Sequence, residues 1–374
     1  MAGIDRFALE DITPYLGHHY WRVREHAITT AATLAKADGA ALLKNQFNSK
    51  AGPQTLAGIL TALGQSRATS ALATTRPAIS HARPEVRTAA ILATAAIGGA
   101  DGIPEIIAHL AKSTDMDDLI ACEEALLTLR GDPAAAAAIR EGTAKLLASA
   151  DPETTRPVAF HILAKLGDDA SIAILEKAAA TDSVLEFNQI IHALSYAPNR
   201  KVDTIFLTLA AASPANAKTI APHAARRLVV GPNGFGDITP KEQMDFAEPM
   251  LKLAIDRGIV EYLSRIRDTR ALRALLYCLQ QGNTGAAENL VRNAETIDGD
   301  KLTPADRAVA VEAIRNVIEY IEVTRLRGGA EANMDKDDRY ATWKALQARA
   351  GRALLQIHKP ETAPIPTLDP LLLD

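Results

Sequence analysis

Aromatic side chains make up only 4% of this 374-residue chain, and Trp21 and Trp343 stand near its opposite ends. So few rings leave little on which a nucleic-acid base could stack or a tetrapyrrole could be held. Cysteine is nearly missing as well. Cys122 and Cys278 lie far apart in the sequence and match no metal-ligand or redox spacing. No run of about 18 uncharged apolar residues occurs, so no membrane span is expected. An excess of one charge is also lacking. Lys plus Arg number 41 against 45 Asp plus Glu, a net charge of −4, which argues against a general nucleic-acid binder. Charge enters at once after Met1, with Asp5 and Arg6, so no secretory apolar segment opens the chain. The bland reading is cytoplasmic, and a chain whose leader had been removed would look the same.

What the chain does have is alanine and helical periodicity. Apolar residues return at spacings of three and four, as in Ala27, Ala31 and Leu34, and do not alternate in the manner of strands. Taking the last apolar residue of each helix as an anchor gives Leu34, Leu63, Ile97, Leu129, Leu166, Leu194 and Leu228. Four positions earlier stand Thr30, Ile59, Ala93, Ala125, Ile162, Ile190 and Ala224. Seven earlier stand Ala27, Leu56, Ala90, Cys122, Ala159, Phe187 and Ala221. These columns share one helical face, and all but Thr30 are small or apolar. Gly64, Gly98 and Gly167 follow three anchors as expected helix stops. A second helix per repeat is expected over 38–46, 67–80, 101–112, 132–150, 168–180 and 201–212, several opening on an aspartate that can cap the first turn. The unit is therefore a pair of helices repeating about seven times between residues 1 and 231, an all-α, α-α superhelix.

The stretches Val23-Arg24-Glu25-His26-Ala27, Val86-Arg87-Thr88-Ala89-Ala90 and Leu166-Gly167-Asp168-Asp169-Ala170 resemble HEAT repeats, in particular the short HEAT-like type of phycobilisome lyases. The resemblance covers about residues 4–231. It implies a right-handed solenoid with one helix of each pair on the convex and one on the concave side, and it implies that Arg24, Arg87 and Arg156 bridge neighbouring repeats. Fold of this kind says little about function. The cluster Val230–Gly236 breaks the pattern and marks a boundary. After it, helices are expected over 240–256, 259–266, 269–281, 284–296, 304–323 and 338–357, the first opening on the capping box Thr239-Pro240-Lys241-Glu242. Residues 232–357 then read as a helical extension or cap, with a polar connector at 328–338, and 358–374 as a proline-rich tail.

The sequence carries no catalytic signature. There is no Gly-x-Ser-x-Gly elbow and no Walker A or Gly-x-Gly-x-x-Gly loop. A HEAT-like di-iron hydroxylase family is built on repeated His-Glu dipeptides, and none occurs among the nine histidines here. His18, His19 and His26 offer no evident metal set, Cys122 reads as inert core, and neither metal nor cofactor is expected. The basic cluster Arg257, Arg265, Arg267, Arg270 and Arg273 is interleaved with Glu261 and Asp268, which disfavours a phosphate-tracking stripe.

A binding module remains. On the anchor helices, taken as the concave layer, positions −5 and −2 point away from the buried face. In the later repeats they hold Glu124, His161, Gln189, His192, His223 and Arg226, while Leu92 and Ala95 give apolar ground earlier. This line is the candidate groove for a protein or peptide partner. Its histidines would favour an acidic ligand more strongly at pH 5.5 than at about pH 7.5. The alternative is an enzyme or enzyme subunit of the HEAT-like lyase kind. Leu129 and Leu166, as anchors, are expected to be core positions.

Overall fold

The computed structural model describes residues 9–36, 40–48, 50–149, 151, 153–231, 234–329 and 338–358. The chain divides into two compact units, Met1–Asn199 and Arg200–Asp374. The first holds α1 (Leu9–Ile12), α2 (Trp21–Leu34), α3 (Ala40–Gln46), α4 (Pro53–Ser66), α5 (Leu72–Ala78), α6 (Pro84–Gly98), α7 (Ile103–Leu110), α8 (Met116–Thr128), α9 (Pro133–Leu147), α10 (Thr155–Leu166), α11 (Asp169–Ala178) and α12 (Val184–Ser195). Their start signals are local. Proline occupies the first helical position of α4, α6 and α9, where its missing N–H costs nothing. The Asp115, Asp132, Asp168 and Ser183 side chains accept from amides of the first turns of α8, α9, α11 and α12.

The even-numbered helices carry the repeat. From α2 through α12 each packs on the next to form one layer, and the odd-numbered helices form a second layer against them. The face read from the sequence is the face that is buried. All seven residues of the −7 column and every member of the −4 column but Thr30 are buried. The fold is all-α, a stack of helical pairs of the α-solenoid class.

Two readings need correction. Leu129 caps α8 and Leu166 ends α10, so both side chains lie at helix ends and are only partly buried. Leu126, Ile162 and Leu163 on these helices are sealed instead. Gly64 stops no helix: α4 runs on to Ser66, and a Cβ at Gly64 would come 3.0 Å from the Cα of Ala93 on α6. Its lack of a side chain lets two layered helices approach. Gly167 does end α10, with φ +71°. The stretch Pro84–Leu110 is long and apolar enough by composition to cross a membrane, yet it breaks at Gly98–Gly102 into α6 and α7, and half of its most apolar window is buried in the protein.

The second unit holds α13 (Lys201–Ala212), α14 (Pro214–Arg227), β1 (Val230–Gly231), β2 (Gly234–Phe235), α15 (Pro240–Leu253), α16 (Arg257–Leu263), α17 (Thr269–Gln280), α18 (Gly285–Thr296), α19 (Pro304–Gly329) and α20 (Asp338–Ile357). The breaker cluster lies inside this unit and forms the two-residue antiparallel pairing of β1 with β2, while Pro232 and Asn233 fall outside the described residues. The capping box at Thr239 and Glu242 forms as read. Two layers recur here too: α13, α15, α17 and α19 in one, α14, α16, α18 and α20 in the other. The expected polar connector is partly helix, because α19 extends to Gly329; 330–337 and the tail 359–374 lie outside the described residues.

Candidate functional site

Arginines of the Val-Arg motif are structural. Arg87 on α6 reaches the next repeat, its Nε 2.7 Å from Oδ2 of Asp118 and its Nη2 2.8 Å from Oδ2 of Asp115. Asp118 is buried, and the same Oδ2 also meets His109 Nε2 at 2.9 Å and accepts from Ser113. Arg156 on α10 meets Glu186 on α12 at 3.3 Å. Arg24 donates to the His18 carbonyl, a contact within its own repeat. Arg87 and Arg156 thus tie neighbouring helices of one layer together, whereas Arg24 does not reach beyond its own repeat. Cys122 is equally inert: burial, then the field of Asp118, pushes its thiol up to about 12. Among the described residues no three His, Cys, Asp or Glu side chains converge as metal ligands.

The exposed side of α8, α10 and α12 differs from this scaffold. An open cleft of about 730 Å³ is lined by Ile120, Glu123, Glu124, Leu127 and Arg130 from α8 and its turn and by Lys165 from α10. Ile120 is 54% exposed, a large apolar group left in water at the cleft wall. Lys165 Nζ lies 2.6 Å from Glu123 Oε1 and 6.0 Å from the centre of the Tyr196 ring. Beside it, His161 Nε2 and His192 Nδ1 are 3.0 Å apart, a hydrogen bond in which one ring donates. Their ring centres stand 5.1 Å apart, and Tyr196 sits 5.5 Å from His161 and 5.3 Å from His192. Three consecutive repeats thus share one continuous row of polar and aromatic contacts.

Of the residues read from the sequence, Glu124 lines the cleft, and His161 and His192 meet across two repeats. Gln189 stands on α12 one turn before His192 and is half-buried. His223 and Arg226 lie on α14 in the second unit, where burial lowers the Arg226 pKa. The columns are not uniformly open: Gly58, Ala32, Ala95 and Ala164 are buried, because small residues there let neighbouring helices close in. Glu123, Lys165 and Tyr196 escaped the reading. Lys165 and Tyr196 stand four residues after His161 and His192, one helical turn further along the same line, and that spacing was the available signal.

In the second unit two members of the basic cluster, Arg270 and Arg265, are ion-paired. Arg270 pairs with Asp245 at 2.8 Å and Asp268 at 3.0 Å and donates to the Lys241 carbonyl, and Arg265 lies 3.7 Å from Glu261.

No family model matches the sequence, and no curated protein does. Among solved structures, human deoxyhypusine hydroxylase in complex with glycerol is similar at 17% identity, over 77% of this chain and 94% of that chain, with a TM-score of 0.27. Nothing about activity passes from that enzyme to this chain on such a likeness.

Proposed function

We propose that the chain is a non-catalytic interaction scaffold of the short HEAT-like, phycobilisome-lyase repeat type, and that it holds a protein or peptide segment along α8, α10 and α12. The observation that carries this reading is the cleft with its exposed Ile120 beside a row of charged and aromatic groups drawn from three repeats. An exposed apolar anchor with polar groups around it is the ordinary make-up of a recognition surface. Successive helices about 10 Å apart suit a segment running across the repeats. Leu185, 54% exposed on α12 one turn before Gln189, supplies a second apolar contact on the same line.

The test is selection of displayed peptides on the full chain. Peptides are expected to be enriched and to bind the Ile120→Asp/Glu124→Lys variant at least tenfold more weakly, with an unchanged circular dichroism spectrum, since both side chains are exposed. Equal binding to parent and variant would move the site away from α8.

A further inference from the structure

In the second unit α15 and α17 pack side by side and share an ion-pair network. Lys241 meets Asp245 at 2.6 Å, and Arg270 meets Asp245 at 2.8 Å, Asp268 at 3.0 Å and Glu248 at 3.9 Å. These three carboxylates are thus committed to Lys241 and Arg270. About one turn further along each helix the sequence supplies cations instead, Lys252 after Glu248 and Arg273 after Arg270. Among the described residues neither Lys252 nor Arg273 forms a hydrogen bond or an ion pair. The Arg273 charge does act on Asp306 of α19, but that carboxylate is bound by the Thr303 and Thr269 hydroxyls. Lys252 and Arg273 are exposed, and both line an open groove of about 420 Å³. Its apolar part comes from Leu251 and Ala274, which are buried, and from the half-buried Leu276 and Tyr277.

This combination restricts the occupant. An apolar side chain laid on Leu276 and Tyr277 leaves water, while the two uncompensated cations, one on each helix, attract carboxylates and repel basic segments. Two cations are too few to follow a nucleic-acid backbone, which needs a sustained stripe. The groove is open to solvent, so it suits side chains of a longer segment better than a small molecule, which is held by enclosure. We propose that the groove on α15 and α17 is a docking site for an acidic segment of another protein, with an aliphatic or aromatic anchor on Leu276 and Tyr277 and carboxylates at Lys252 and Arg273. It is a second site, and it stands whether or not the cleft on α8 and α10 binds a partner.

The test selects displayed random decapeptides on the full-length protein, after the pool has been depleted on the Lys252→Glu/Arg273→Glu variant. Depletion removes peptides that bind elsewhere, including those held by the α8 cleft. The peptides that remain are expected to be net acidic and to carry at least one leucine, isoleucine, phenylalanine or tryptophan. By calorimetry they should bind the charge-reversed variant at least tenfold more weakly than the parent, with Lys252→Gln/Arg273→Gln in between. Lysine in place of their acidic residues should reverse that preference, and serine in place of the apolar residue should weaken binding to the parent at least tenfold. Both cations are exposed, so a dichroism spectrum matching the parent is expected of each variant. A depleted pool that yields no binder, binders that are neutral or basic, or affinities indifferent to the charge reversals or to the serine replacement would overturn the proposal.

Discussion

Leu163 and Leu166 stand about one turn apart on α10, yet only Leu163 is sealed from solvent. The difference is one of position along the helix. Leu163 faces the neighbouring layer helices, whereas Leu166 is the last helical residue before Gly167 turns the chain away. Removing a buried leucine side chain costs its transfer free energy and leaves a cavity, about 2–5 kcal/mol together. Leu163→Ala and Leu126→Ala should therefore lower stability by that amount in urea unfolding. Leu166→Ala and Leu129→Ala should lose about 1 kcal/mol or less, because the side chains are already part-hydrated. Equal losses at all four would contradict the burial pattern.

Between elements, the Arg87–Asp118 contact joins α6 to α8 and differs in kind from the Arg24 contact. Asp118 is buried, and without Arg87 its carboxylate would keep only His109 and Ser113 as side-chain partners in place of a permanent cation; breaking a buried pair costs about 3–5 kcal/mol. Arg24 donates to a carbonyl near the surface, worth about 1 kcal/mol. Arg87→Ala should thus destabilise well beyond Arg24→Ala, although both belong to the same motif. In a double-mutant cycle with Asp118→Ala, Arg87 should show strong coupling; near-additivity would contradict the bridge. The repeat itself was legible in the sequence, because residues at −4 and −7 from an anchor must share a helical face. Helix ends were less so: Gly64 reads as a stop until Ala93 is seen beside it, a contact 29 residues away in sequence (93 − 64). The candidate site was half legible for a related reason. Periodicity placed Glu124, His161 and His192 on one side, but Lys165 and Tyr196 gain meaning only through partners on adjacent repeats.

Over the whole molecule, carboxylates with depressed pKa values are spread through both units. At Asp168 burial opposes ionisation, but the Ser171 amide and hydroxyl and the Arg140 guanidinium outweigh it. The Lys241 and Arg270 side chains hold Asp245 low, the Thr303 and Thr269 hydroxyls hold Asp306 low, and the Arg349 side chain holds Glu295 low. A carboxylate whose folded pKa lies below its unfolded value adds stability that is complete above the unfolded pKa and is lost as pH falls through the folded one. Stability to urea should therefore decline below about pH 4, with the midpoint at pH 3 well under that at pH 5; a midpoint constant over that interval would contradict the prediction. Because helices pack almost wholly on near neighbours in sequence, that loss need not be concerted. The placement of the two tryptophans then decides what an optical experiment sees. Trp21 opens α2 and is already 55% exposed, while Trp343 lies on the last helix with its ring centre 6.4 Å from that of Tyr320. Tryptophan emission, excited beyond tyrosine absorption, is consequently a gauge of the α19–α20 pair and is blind to the middle of the array, so emission and ellipticity should trace different melting curves for the same sample.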